Sequence, residues 1–204
     1  MAYGGHSYYD LAIADYDKTI SLNLNFVQAF INRGSQFASK HDWTHAIADE
    51  THAIEFIPNI ALAYINRGSA CHNRGNFDLA IVDYAKALQF YPNDAELYYS
   101  RALDYPKKKN LGFAMVDYDK AILFNPRFIQ ALQNRGALSK EQGNFGQAMK
   151  DFDHAISTFD AGFTSKKSNR HQFEINHNTI HQLCLRGNQK QFDLVRWSPR
   201  AKAR

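Results

Sequence analysis

The chain has 204 residues, of which 45% are hydrophobic and 14% aromatic, so it can bury a core and is not expected to be wholly disordered. Its net charge of +4 is unevenly spread: residues 163–204 carry nine Lys or Arg against two Asp or Glu, and the remainder is slightly acidic. There is no apolar run of transmembrane length, no basic-then-apolar leader in MAYGGHSYYD, and no CxxC or disulfide framework around Cys71 and Cys184. A membrane span, secretion and a disulfide scaffold are therefore not expected, and a cytoplasmic setting is.

Helical segments recur along the chain at a fixed step of thirty-four residues. LAIADYDKTI, HAIADETHAI, LAIVDYAKAL, FAMVDYDKAI and QAMKDFDHAI align Ala12, Ala46, Ala80, Ala114 and Ala148, and likewise Asp15, Asp49, Asp83, Asp117 and Asp151. One residue further on stand Tyr16, Glu50, Tyr84, Tyr118 and Phe152. Upstream of four of these segments lies a second unit, FINRG at 30–34, YINRG at 64–68, YSRAL at 98–102 and LQNRG at 132–136. Each full repeat thus reads as two helices joined by a turn, as in Arg74-Gly75-Asn76. Pro58, Pro92 and Pro126 end three units, because proline lacks the N–H and clashes one turn back. Asn93-Asp94 can cap the helix that follows.

Small residues at Gly34, Gly68, Ala102 and Gly136 let the two helices of a repeat approach, with Ala46, Ala80, Ala114 and Ala148 expected opposite. Large aromatics such as Phe30, Tyr64, Tyr98, Trp43, Phe77 and Phe145 fill the space beside them. Pro106 falls inside an expected first helix and should shorten or kink it, and Lys107-Lys108-Lys109 should follow as a solvated turn. The first unit has its second helix but too few residues for a first one.

These residues resemble the tetratricopeptide repeat family over roughly 9–160, as four full repeats and a leading half repeat. The resemblance implies an all-α fold, a right-handed α-α superhelix, or solenoid, of 34-residue helix-turn-helix repeats, whose first helices line a concave groove. The expected organisation is a repeat array over 1–162 and a basic tail over 163–204. Phe173, Ile175, Ile180, Leu183 and Leu185 of that tail could form one capping helix before a disordered end.

Function is expected in the groove. On the resemblance, Asn32, Asn66 and Asn134 fall on its face, with Ser100 interrupting the series. They look like the asparagine ladder of the repeat domain of O-linked N-acetylglucosamine transferases. A primary amide both donates and accepts, so it can hold a peptide backbone whatever the side chains. Ile31, Ile65 and Tyr99 should line the groove beside them, together with Gln28, Ser35, Leu62, Ser69 and Gln130. The places of the family's chaperone-binding basic clamp hold Ile31, Ser35, Glu96 and Ser100, so that clamp is absent.

Arg33, Arg67, Arg101 and Arg135 each follow Asp15, Asp49, Asp83 and Asp117 by eighteen residues, which suggests structural ion pairs across each repeat junction. His41 with His45, and His177 with His181, have helical spacing but lack HExxH and a third ligand, so no metal is expected. No P-loop, dinucleotide fingerprint or GxSxG elbow occurs, and no cofactor or small-molecule substrate is expected. The leading expectation is a non-enzymatic module that binds a protein or extended peptide. A regulatory or detached part of a larger enzyme, such as a glycosyltransferase, is the alternative, and RNA binding through the basic tail a third and less favoured one.

Overall fold

The structure, a computed structural model, describes residues 4–162, and the expected capping helix and basic tail lie outside them. The described residues form nine α-helices and no strand: α1 (Gly4–Leu22), α2 (Val27–Ser39), α3 (Trp43–Phe56), α4 (Ala61–Arg74), α5 (Phe77–Phe90), α6 (Ala95–Asp104), α7 (Leu111–Phe124), α8 (Ile129–Glu141) and α9 (Phe145–Gly162). The chain divides into two compact units at Phe124 and Asn125, the first holding α1–α7 and the second α8–α9.

Local chemistry sets the helix ends. The side chains of Asp42, Asn76 and Asp94 accept from the backbone N–H of His45, Leu79 and Leu97, which caps α3, α5 and α6. Gly75 closes α4 with φ +86, a conformation costly for any residue with a Cβ. Asp94 caps as its sequence predicts. Pro106 also acts as expected: α6 stops after ten residues at Asp104, and Tyr105–Lys108 continues as a short 3₁₀ turn. That turn is partly tied down, because Lys108 reaches Asp78 at 2.8 Å.

In the first unit each helix packs on the next, and the first helices also touch one another, α2 on α4 and α4 on α6. The second helices α3, α5 and α7 approach one another less. Within each repeat Ala46, Ala80 and Ala114 are at most 1% exposed. The small-residue positions face more than alanine. A Cβ on Gly68 would stand 3.0 Å from the Tyr84 ring, and one on Gly34 would stand 3.0 Å from Glu50 Oε1. In the second unit, a Cβ on Gly136 would meet the Phe152 ring at 2.9 Å. The glycine therefore accommodates the residue just after the repeated aspartate. A further tie recurs at the proline turns, where the Tyr64 and Tyr98 hydroxyls donate to the carbonyls of Pro58 and Pro92.

The arginine pairing departs from the expected scheme. Arg33 holds Asp49, Arg67 holds Asp83, Arg101 holds Asp117 and Arg135 holds Asp151, each sixteen residues on and inside one repeat. The expected pairs Asp15–Arg33, Asp49–Arg67, Asp83–Arg101 and Asp117–Arg135 are thus corrected. Antiparallel packing of a repeat's two helices brings the arginine of the first against the aspartate of the second. Asp15 is exposed on α1. The junction is bridged through other residues: Arg33 also bonds Asp17 at 2.6 Å, and Arg67 bonds the Thr51 hydroxyl at 3.2 Å.

Candidate functional site

The face of the first helices in the first unit carries Asn32 on α2, Asn66 on α4 and Ser100 on α6, one repeat apart on helices in contact, and all three are half-buried. The amides of Asn32 and Asn66 are already engaged on one side. Gln28 Nε2 donates to Asn32 Oδ1 at 2.9 Å, and Asn66 Nδ2 donates to Glu50 Oε1 at 2.9 Å. An asparagine amide has two donors and two lone pairs, so both retain hydrogen-bonding capacity. Asn134 is half-buried on α8 of the second unit.

Of the expected lining residues, Ile65 and Tyr99 are half-buried, and the Tyr99 ring lies 6.2 Å from that of Tyr118. Leu62 is 49% exposed. Ile31 is a correction: it is 2% exposed and packs with Val27, Ala53 and Ala63. It points from α2 into the junction with α3 and α4, one helical position away from Asn32, and so belongs to the core.

Between α2, α3 and α4 lies a cavity of about 220 Å³ that the sequence reading missed. Gly34, Ala38 and Ala46 form its apolar wall, and Ser35, Glu50, Asn66 and Ser69 its polar one. Glu50 is 1% exposed, and its Oε2 has no hydrogen-bond partner. Burial pushes the Glu50 carboxyl up to about 8, with Asp49 adding to the rise, while the bond from Asn66 and the charge of Arg67 oppose it. The signal in the sequence was the break in the series Tyr16, Glu50, Tyr84, Tyr118, Phe152. A tyrosine at the equivalent place fills its repeat with a ring and reaches Ser69 with its hydroxyl, as Tyr84 does. Glutamate leaves part of that space empty.

Another buried acid, Asp104, ties two first helices together. Its Oδ1 lies 2.6 Å from His72 Nδ1 on α4, and burial raises its carboxyl, with His72 opposing. Burial likewise raises the Cys71 thiol to about 11, which makes it a poor nucleophile. His45 bonds the capping residue Asp42 at 2.7 Å, and His41 rests edge-on against Trp43. Among the described residues no group of three or more His, Cys, Asp or Glu could hold a metal, and no helix is long and apolar enough to cross a membrane. His177 and His181 lie outside the described residues.

The tetratricopeptide repeat family model matches residues 61–94, which span α4 and α5 with the turns around them. This chain is built from tetratricopeptide-type helix-turn-helix repeats. The same architecture appears in the crystal structure of MamA, with 25% sequence identity and a TM-score of 0.75 over 77% of this chain and 92% of that one. MamA 41-end from Desulfovibrio magneticus RS-1 aligns at 16% identity and a TM-score of 0.68, over 81% of this chain and 100% of that one. YrrB, described as a TPR protein with an unusual peptide-binding site, aligns at 19% identity and a TM-score of 0.62, over 85% of this chain and 97% of that one. The last two likenesses concern the fold alone. No curated protein matches the sequence. Tetratricopeptide-type repeats generally mediate protein–protein or protein–peptide interactions.

Proposed function

We propose that the first unit binds an extended peptide of a partner protein along the face of α2, α4 and α6. The observation that carries this reading is the placement of Asn32 and Asn66, half-buried polar groups at one register of adjacent first helices, each with hydrogen-bonding capacity beyond its bond inside the chain. Spacing by one repeat lets successive amides address successive stretches of main chain. Ser100 continues the series with a hydroxyl, and Ile65 and Tyr99 supply apolar surface beside it. Asn134 gives the second unit a group of the same kind.

The side chains around the series favour a peptide with apolar residues over a strongly acidic one. Arg33, Arg67 and Arg101 on α2, α4 and α6 are already committed to Asp49, Asp83 and Asp117. Selection of binders from a random displayed-peptide library tests the reading. Binders should be lost on replacing Asn32 and Asn66 with Ala, and helix content should stay unchanged. Binders that survive that change, with affinity intact, would overturn it.

A further inference from the structure

We propose that the cavity at Glu50 is a side-chain pocket for a primary ammonium group, such as that of a lysine on a bound peptide. This deepens the peptide-binding reading and rests on it for the peptide that brings the ammonium.

The cavity has what such a guest needs. Its inner end is a carboxyl that is 1% exposed, with one oxygen held by Asn66 and the other unpartnered. The Glu50 carboxyl lines the cavity, and an entering N–H group would find its acceptor there. Ser35 and Ser69, also on the pocket wall, supply hydroxyls for the remaining ammonium hydrogens. The alkyl stem would run past Gly34, Ala38 and Ala46, where no polar side chain competes.

No lysine or arginine lines the pocket. The nearby guanidiniums are occupied: Arg33 forks onto Asp49 and bonds Asp17, and Arg67 forks onto Asp83 and bonds Thr51. The positive charge must therefore come from outside. The Glu50 carboxyl holds a proton below about pH 8, and an entering cation would displace that proton and form a charge-assisted hydrogen bond with the carboxylate. An anionic guest would meet Glu50 and its neighbour Asp49, so the pocket discriminates by charge as well as size. In the next repeat, Tyr84 fills the corresponding space against Gly68, which confines the pocket to this repeat.

The test uses the full chain and a probe without a peptide backbone, n-butylammonium, followed through backbone amide resonances. Saturable shifts are expected at Gly34, Ser35, Asn66 and Ser69. Neutral 1-butanol, of the same length, should produce at least roughly tenfold weaker binding. Glu50→Gln keeps the shape but cannot ionise when the ammonium enters, and should weaken its binding roughly tenfold or more. Glu50→Tyr fills the space as Tyr84 does and should abolish the response. Absence of a saturable shift by about 100 mM, well above what a five-atom cation in a matched pocket requires, would overturn the proposal. So would equal binding of 1-butanol, a comparison that needs no variant. The probe carries no peptide backbone and is read on the parent chain, so the groove and the pocket can fail separately.

Discussion

Arg67 grips Asp83 through two hydrogen bonds of 2.8 Å, and Asp83 is wholly buried. The guanidinium is delivered by the first helix of the repeat and the carboxylate by the second. The planar fork therefore fixes the register of the two helices as well as their contact. The same fork recurs at Arg33, Arg101 and Arg135. Asp15, at the same repeat position on α1, is exposed.

That contrast yields a stability prediction. Asp83→Ala leaves a largely buried guanidinium without its carboxylate, and should cost about 3 kcal/mol, toward the lower end for a broken buried pair because Arg67 keeps some contact with water. Asp15→Ala should change stability by less than about 0.5 kcal/mol. Urea denaturation of the two variants measures the difference, and equal midpoints would contradict a structural role for the fork.

Overpacking at the helix crossing should be felt in the same way. Gly68→Leu drives a side chain into the Tyr84 ring, where even a Cβ would stand at 3.0 Å, and should cost about 1–3 kcal/mol. Ser69→Leu, one position on and exposed, should cost less. Thermal melts of both variants check the order.

Glu50 makes stability depend on pH. Its folded-state pKa, about 8, lies above the ordinary 4.5, so the folded chain holds a proton that the unfolded chain releases. The carboxyl's contribution is fully present below about 4.5 and is lost as pH rises through about 8. Across that window the parent chain should lose stability relative to Glu50→Gln, by on the order of a few kcal/mol. Denaturation at a series of pH values gives the two curves. Parallel curves would place Glu50 in contact with water.

The repeat architecture was legible because its period of thirty-four residues recurs in alanine, aspartate and aromatic positions at once, and because caps and prolines agree with it. Pro106 was legible for a local reason, since ring geometry alone ends α6 at Asp104. The arginine partners were not. Offsets of sixteen and eighteen residues recur equally well in a repeating sequence, and only the antiparallel packing chooses between them. Ile31 shows the same limit on the scale of one residue, because a neighbouring position on a helix lies about 100° away and can belong to the core while Asn32 does not. Glu50 was visible as an odd member of an aromatic series, but the cavity follows from what a missing ring leaves beside Gly34.

The central claim is that Asn32 and Asn66 hold a peptide main chain. Its most direct test is the affinity of one library-selected peptide, measured by fluorescence anisotropy against the parent chain and against the variant with both residues changed to Ala. Each neutral hydrogen bond contributes about 0.5–1.5 kcal/mol net, so the double change should weaken binding by roughly fivefold to somewhat over a hundredfold. Circular dichroism should be unaltered, and a second peptide of unrelated sequence should lose affinity to a similar degree. Unchanged affinity, or a loss confined to one peptide's side chains, would contradict the account.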